Sequence, residues 1–192
     1  MADKSEIVLI GPFGAGKSTI GRLLARRLGL HSVSLDGHQY YYRELGFDDE
    51  KFMRLIGGPQ PYEADLYFQT FFPDALERLL GEHHNCIFDL GAGHTVYEDE
   101  ALFARVKRAL EPFPNVVLVL PSPDPDVSVR VLREREEQRR INPHFLGDHF
   151  DYFGLWVRSH CNYDLARITV YTEGKTPEQT AEEVLQAVAA PH

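Results

Sequence analysis

The sequence predicts an α/β fold with a five-stranded parallel sheet covered by helices on both faces. Three observations predict it. Short apolar runs recur along the chain, they alternate with helical segments, and the first run ends in a glycine-rich turn directly before a helix. With 192 residues and no internal repeat or low-complexity linker, residues 1–192 are expected to form a single domain.

In the first half of the chain, Glu6–Ile10 is an apolar run before the glycine-rich turn and predicts a buried strand. Lys17–Leu28 carries apolar residues on one helical face, and the glycine that follows ends this helix. His31–Leu35 predicts a second short strand. Residues 37–45 and 61–80 are predicted to be helical.

In the second half, Asn85–Leu90 and Asn115–Leu120 are apolar runs and predict buried strands. Between and after them, residues 99–110 and the charged segment 124–139 predict helices. The last two elements are a strand at Arg167–Thr172 and a helix at Thr176–Ala190, which opens with Thr-Pro-Glu. In such sheets ligands bind beyond the carboxyl ends of the strands, so functional residues are expected just after these runs.

Composition narrows the class of protein. The net charge of −9 disfavours general binding to nucleic acids or membrane surfaces. No apolar stretch is long enough to span a membrane, and the N-terminus lacks the apolar core of a signal peptide. Cys86 and Cys161 are expected to be reduced structural thiols. Without a predicted membrane span or signal peptide, we expect a cytoplasmic protein. We also expect a monomer or a weak homodimer.

The stretch Gly11–Ser18 reads GPFGAGKS and matches the phosphate-binding pattern G-x-x-x-x-G-K-[ST], with a strand before it and a helix after it. It predicts the three-layer sandwich of P-loop NTPases. Backbone N–H groups of the loop are expected to converge on phosphate oxygens at the helix N-terminus. The predicted ATP-binding residues here are Gly11, Gly14, Ala15, Gly16, Lys17, Ser18 and Thr19.

Within this loop, Lys17 is expected to bridge the terminal phosphates and to act in catalysis, and the Ser18 hydroxyl to bind Mg²⁺. Asp89 follows three apolar residues at the end of the third predicted strand, where a second acid holds Mg²⁺ directly or through water. An alternative interpretation is that Asp89 caps the following turn. The two interpretations are compatible.

Four stretches together resemble the shikimate kinase branch of the small P-loop kinases. They are the opening GPFGAGKSTIGRLLARRLGL, VSLDGH after the second strand, DLGAGHTVYED after the third, and RSHCNYDLARITVYTEGKTPEQTAEEVLQAV at the end. The resemblance implies the strand order 2-3-1-4-5, ATP and Mg²⁺ as cofactors, a small-molecule hydroxyl acceptor bound by residues 36–80, and a mobile lid at about 133–150.

The resemblance also implies roles on the acceptor side. Asp36 corresponds to the aspartate that contacts the acceptor hydroxyl, and it would orient that hydroxyl and take its proton. An N-cap role for Asp36 remains the alternative. Gly91, Ala92 and Gly93 replace a triple-glycine turn that lets the backbone approach the acceptor. His94, next in the chain, is either an acceptor-binding group or an ordinary turn residue.

The chain also departs from the family pattern at Ser34 and Tyr67. Ser34 stands where the family has a metal-linked aspartate, and Asp89 is the substitute expected on the metal side. Tyr67 stands at or near the arginine that pairs with the substrate carboxylate, whereas Arg158 matches the other acceptor-binding arginine. These departures suggest a polyol or cyclitol-like acceptor with less negative charge than shikimate.

The lid is expected to carry arginines that close on the phosphates. Arg139 is the candidate for stabilising the transferring phosphoryl group, Arg135 and Arg140 are candidates for binding ATP, and Arg133 is a further possibility. The alternative is that most of these charges pair with neighbouring glutamates on a solvated helix. The resemblance further implies that the loop ending at Pro177 lies against the adenine.

Two classes of function follow. The first is an ATP-dependent kinase that transfers the γ-phosphoryl group to a hydroxyl of a shikimate-, cyclitol- or polyol-like acceptor. The second is a nucleotide-dependent switch or regulatory protein without a small-molecule acceptor. A nucleotide kinase is disfavoured, because such enzymes usually need several arginines around the acceptor phosphate and residues 36–72 contain only two, Arg43 and Arg54.

Overall fold

The sheet is five-stranded and entirely parallel, as the sequence predicts. The computed structural model describes residues 6–58, 60, 62–147 and 150–190. Within that part of the chain the strand order is β2-β3-β1-β4-β5, which confirms the order 2-3-1-4-5. The strands are β1 (Ile7–Ile10), β2 (His31–Ser34), β3 (Cys86–Asp89), β4 (Val116–Leu120) and β5 (Ile168–Tyr171).

The strand register brings the candidate residues together at one edge of the sheet. Asp89 of β3 pairs with Leu9 of β1 on one side and with Ser34 of β2 on the other. The phosphate loop after β1, Asp36 after β2 and Asp89 therefore leave the sheet at neighbouring points. This is the carboxyl edge at which parallel sheets of this kind bind ligands.

Ten helices surround the sheet in the described part of the chain, and three short 3₁₀ turns lie between them at Leu35–His38, Ala92–Thr95 and Pro143–Leu146. The helices are α1 (Lys17–Leu28), α2 (Gln39–Glu44), α3 (Asp49–Ile56), α4 (Tyr62–Gln69), α5 (Phe72–Glu82), α6 (Glu100–Leu110), α7 (Pro125–Arg139), α8 (Tyr152–Arg158), α9 (His160–Leu165) and α10 (Pro177–Ala189).

Two of the helix predictions were wrong in part. The helix expected at 61–80 is two helices, because the chain turns at Thr70 and Phe71 and a proline in the first turn of α5 starts a new helix. The segment expected to be helical at 37–45 begins as a 3₁₀ turn at Leu35. Helices α3, α8 and α9 were not predicted.

The core is built on the central strands. Every residue of β1, β3 and β4 is buried, as expected for parallel strands covered on both faces. Helix α1 packs against α10, and α5 packs against α6. Cys86 and Cys161 are both free and buried. No described helix combines the length and the apolar character that crossing a membrane requires.

Candidate active site

The phosphate loop needs glycine at two of its positions. Gly11 has φ +125°, and a Cβ there would lie 2.5 Å from the carbonyl oxygen of Val119. Gly16, with φ +103°, is the N-cap of α1. Because side chains disfavour both the left-handed backbone and the close approach to β4, these glycines fix the path of the loop.

Lys17 is held over this loop. Its Nζ donates hydrogen bonds to the carbonyl oxygens of Gly11 (2.8 Å) and Pro12 (2.9 Å), and the residue is only 7% exposed. Burial lowers the pKa of the Lys17 ammonium, and the carboxylates of Asp89 and Asp36 oppose this effect. An ammonium positioned in this way is suited to binding phosphate oxygens.

Asp89 lies beside the first residues of α1. Its side chain is buried, and burial raises the pKa of its carboxyl group above the ordinary value. The Lys17 ammonium and a hydrogen bond with Ser18 oppose that rise. The structure therefore places a hydroxyl and a carboxylate next to each other at the phosphate end of the loop.

A cavity of about 220 Å³ opens over the phosphate loop. Arg135 and Arg139 of α7 line its far side. Arg135 donates hydrogen bonds to the carbonyl oxygen of Gly14 and to Thr172 Oγ1, both at 3.2 Å. Partial burial and the neighbouring charge of Arg139 lower the pKa of Arg135. The other described lining residues are Phe13, Gly14, Gly16, Lys17, Ser18, Thr19, Asp36, Asp89, Gly91, Ala92, Glu136 and Ile141.

A second cavity of about 430 Å³ lies beside the first. Its volume falls in the range of about 300–1,000 Å³ that is typical of small-molecule sites. The described lining residues are Phe13, Asp36, Phe52, Ile56, Tyr62, Asp65, Phe68, Gln69, Phe72, Gly91, Ala92, Gly93, His94, Val96, Asn142, Phe145, Tyr152, Leu155 and Trp156. The two cavities share Phe13, Asp36, Gly91 and Ala92, so they meet at these residues.

Asp36 stands at this junction with 71% of its side chain exposed. It lies inside the 3₁₀ turn Leu35–His38, whose N-cap is Ser34, so Asp36 does not occupy the N-cap position. Gly91 makes room for it, since a Cβ at position 91 would lie 2.6 Å from Asp36 Oδ1. The carboxylate is therefore within reach of ligands in both cavities.

His94 is buried behind Asp36, with its Nε2 4.0 Å from Asp36 Oδ1. The Gly91 N–H donates to His94 Nδ1 (2.8 Å), and Nε2 lies 2.8 Å from Tyr42 Oη. Since a backbone N–H can only donate, the neutral ring carries its proton on Nε2 and donates it to Tyr42. Burial lowers the pKa of His94 to about 4, so the imidazole is neutral at physiological pH.

The structure does not bring every predicted residue to these cavities. Tyr67 is stacked on Phe47, and its hydroxyl accepts a hydrogen bond from the Asp48 N–H (3.0 Å). Its neighbour Phe68 lines the larger cavity instead. Neither Tyr67 nor Arg140, which follows the end of α7, is among the described residues that line the two cavities.

Arg158 and Pro177 also lie elsewhere. Arg158 forms ion pairs with Asp126 (2.6 Å) and Asp151 (3.8 Å), and it lines neither cavity. Pro177 is the first residue of α10 and also lies outside the described linings. The structure thus joins Lys17 and Asp36 with the phosphate loop, but it leaves Arg158 in an ion-pair network at the surface.

Sequence reasoning missed several wall residues, among them Phe13, Asp65, Gln69, Tyr152 and Trp156. Phe13 lies inside the phosphate motif, at a position where the motif accepts any residue. The aromatic density of the segment from Phe150 to Trp156 was a usable signal, because aromatic side chains are frequent in small-molecule sites.

Comparison with known proteins now places the chain in a family. No family model matches it. The shikimate kinase of Streptomyces coelicolor is 30% identical over 183 residues, covering 95% of this chain and 94% of its own length. The structure resembles the shikimate kinase from Acinetobacter baumannii in complex with shikimate (TM-score 0.66, 21% identity, 95% of this chain and 92% of that one).

The shikimate kinase from Aquifex aeolicus has the same fold, with a TM-score of 0.61, 23% identity and 95% of both chains covered. Together with the phosphate loop and the larger cavity beside it, these similarities identify an ATP-dependent kinase of small molecules with an alcohol group as acceptor. The chain belongs to the shikimate kinase family.

Proposed function

We propose that phosphoryl transfer takes place where the two cavities meet, with the acceptor hydroxyl held at Asp36. The observation that supports this is the shared boundary of the cavities, formed by Phe13, Asp36, Gly91 and Ala92. ATP phosphates over the loop and an acceptor in the larger cavity would face each other across this boundary. Positioning of this kind supplies much of the catalysis in phosphoryl transfer.

The proposed roles follow from the geometry. Asp36 accepts a hydrogen bond from the acceptor hydroxyl and takes its proton. Lys17, with Arg135 and Arg139 on the opposite wall, stabilises the negative charge of the transferring phosphoryl group. The segment 133–150, of which residues 148 and 149 lie outside the described part, is proposed as the lid that excludes water.

Ser18 and Asp89 are proposed to hold Mg²⁺ together with the phosphates. A hydroxyl and a carboxylate are the hard oxygen ligands that Mg²⁺ prefers, and protein sites supply it with only one or two such groups. When bound, Mg²⁺ supplies charge neutralisation at the phosphates.

We further propose that the acceptor carries no carboxylate, unlike shikimate. None of the described residues that line the larger cavity is a lysine or an arginine. Arg158, which the resemblance assigns to the acceptor, is instead engaged by Asp126 and Asp151. A carboxylate buried there would find no cationic partner among these described residues, and an unpaired buried carboxylate is costly.

The test is ADP formation from ATP and Mg²⁺ with a panel of hydroxyl compounds that includes shikimate, cyclitols, polyols and amino alcohols. We expect acceptor-dependent ADP formation, lowered about 10²-fold or more in Asp36→Asn because the proton acceptor is lost. Glu178→Gln removes one exposed carboxylate from the first turn of α10 and serves as the control.

ADP formation that needs no acceptor and is unchanged in Asp36→Asn would refute the kinase assignment. A strong preference for shikimate over acceptors without a carboxylate would refute only the charge argument. The first result favours the switch alternative, whereas the second leaves the transfer mechanism intact.

A further inference from the structure

Tyr42 and His94 form a buried hydrogen-bonded pair behind the larger cavity. Tyr42, on α2, is 3% exposed, and it is not among the described residues that line either cavity. Its ring packs edge-on against Phe68 (4.7 Å between ring centroids) and Phe72 (6.0 Å). Burial and the charge of Asp36 raise the pKa of the Tyr42 hydroxyl, so the group is neutral. Packing therefore holds an uncharged hydroxyl next to the imidazole.

The Nε2 proton of His94 has two side-chain oxygens near it in the described part of the chain. The neutral ring carries its proton on Nε2, because Nδ1 accepts the Gly91 N–H. Tyr42 Oη lies 2.8 Å from Nε2, whereas Asp36 Oδ1 lies 4.0 Å away, beyond hydrogen-bond distance. The proton is therefore donated to Tyr42 and not to Asp36.

Asp36 could take this proton after a small movement. Its side chain is 71% exposed, and a shift of about 1 Å would bring Oδ1 to hydrogen-bond distance from Nε2. Gly91 has no side chain to keep the two groups apart, since a Cβ there would lie 2.6 Å from Asp36 Oδ1 and 2.9 Å from His94 Nδ1. A carboxylate also accepts a stronger hydrogen bond than a neutral hydroxyl does. The hydroxyl of Tyr42 thus competes with Asp36 for the proton of His94.

We propose that Tyr42 is a positioning residue for phosphoryl transfer, because it accepts the Nε2 proton of His94 and so keeps that proton from Asp36. A carboxylate that accepted this proton would be drawn towards His94 and away from the acceptor hydroxyl. It would also be a weaker proton acceptor, since a hydrogen bond to the charged form stabilises that form. This inference rests on the proposed function, which assigns Asp36 to the acceptor hydroxyl.

The test is Tyr42→Phe, which keeps the packed ring and removes only the hydroxyl. In a crystal structure of this variant we expect His94 Nε2 and Asp36 Oδ1 to approach to about 2.7–3.2 Å. With the best acceptor of the panel, kcat should fall about tenfold or more, while KM for ATP stays within about twofold because the phosphate loop is untouched. Tyr41→Phe is the matched control, since Tyr41 is also buried on α2 but donates its hydroxyl proton to Glu82 (2.6 Å).

A double-mutant cycle separates this role from a purely structural one. His94→Asn keeps a side-chain oxygen that can accept the Gly91 N–H, but it has no Nε2 proton for Tyr42 or Asp36 to compete for. Adding Tyr42→Phe to His94→Asn should therefore change kcat by less than about threefold, whatever the kcat of His94→Asn itself. A structural role would give the same loss in both backgrounds. Tyr42→Met removes the same hydroxyl and takes the place of Tyr42→Phe if that variant does not fold.

A separation of His94 and Asp36 that stays at 4.0 Å in Tyr42→Phe, or an equal loss of kcat in both backgrounds, would overturn the inference. The crystal structure does not depend on turnover, so the two proposals can fail separately. If the gap closes while Asp36→Asn leaves ADP formation unchanged, the competition for the His94 proton stands and the proposed role of Asp36 fails. If Asp36→Asn loses activity and the gap does not close, the transfer mechanism stands and the role of Tyr42 fails.

Discussion

Gly91→Ala is the change that most directly tests the position of Asp36. Gly91 has φ −62° and ψ 158°, which alanine adopts without backbone strain. The new methyl group would lie 2.6 Å from Asp36 Oδ1 and 2.9 Å from the Nδ1 and Cε1 atoms of His94. Any effect of the substitution therefore comes from these contacts and not from the backbone.

Both side chains have to shift, and Asp36 moves further than His94. His94 is held by the Tyr42 hydroxyl and by the edge-to-face contact with Phe72 at 4.5 Å, whereas Asp36 is largely exposed. Restoring an ordinary contact shifts the carboxylate by about 1 Å, and a displacement of that size costs about 10²-fold in rate. The hydrogen bond from the Gly91 N–H to His94 weakens, which lowers the free energy of unfolding by about 1 kcal/mol. Alanine has a lower backbone entropy than glycine in the unfolded chain, and this partly offsets the loss.

The assay compares kcat, KM for ATP and thermal stability of Gly91→Ala with those of wild type, using the best acceptor of the panel. We expect kcat to fall about 30- to 100-fold, KM for ATP to stay within about twofold, and the fold to be retained. Gly37→Ala is the matched control, because a Cβ at position 37 meets no atom within 4 Å. A kcat near that of wild type, or an equal loss in the control, would refute the proposed role of Asp36.

Four further predictions test the other parts of the site. Lys17→Met should lower kcat about 10²- to 10³-fold in single-turnover assays with the protein still folded by circular dichroism; a smaller loss would contradict its role at the phosphates. Arg139→Ala should lower kcat at least tenfold and Arg140→Ala less than threefold, because only Arg139 lines the phosphate cavity; equal effects would contradict this assignment. Arg158→Ala should leave KM for the acceptor within about twofold, since Arg158 pairs with surface carboxylates; a large rise in KM would restore the role that the resemblance implies. His94 should make the free energy of unfolding pH-dependent, because the imidazole takes up a proton below about pH 6.5 in the unfolded chain and only below about pH 4 in the folded one. The free energy of unfolding should therefore be unaffected by His94 above pH 6.5 and should fall by up to about 3 kcal/mol as the pH drops to 4. Asp36 and Lys17 are the charged groups that act on His94. Urea unfolding should show a smaller loss in His94→Gln, and an equal loss would contradict the prediction.

The phosphate half of the site was predictable because its determinants are contiguous in sequence. The strand, the glycine-rich turn and the helix lie next to one another between Ile7 and Leu28, and α1 has the predicted bounds. Glycine at positions 11 and 16 is required by the local backbone alone. Local spacing therefore carries enough information to place Lys17 and Ser18 without knowledge of the tertiary structure.

The acceptor half depends on which face of each helix turns inward. Neighbouring residues of an α-helix point about 100° apart, so an alignment that is uncertain by one residue cannot decide between Tyr67 and Phe68. Only packing against Phe47 settles that Tyr67 lies outside the cavity. Aromatic residues between 62 and 72 also hide the periodicity that would have revealed the break between α4 and α5.

Under the proposed function, the charges of the two cavities keep the two substrates apart. Lys17, Arg135 and Arg139 face the phosphate cavity, whereas the larger cavity has carboxylates and no described lysine or arginine. A nucleotide in the larger cavity would place its phosphates beside carboxylates, and no lysine or arginine is among the described residues that line it, so the charges favour ATP on the loop side. Asp36 lies on the border, where its charge interacts with the Lys17 ammonium. An acceptor hydroxyl at this border would have the Asp36 carboxylate on one side and the cations of the phosphate cavity on the other. This arrangement favours proton transfer to Asp36 while the phosphoryl group moves towards the acceptor oxygen.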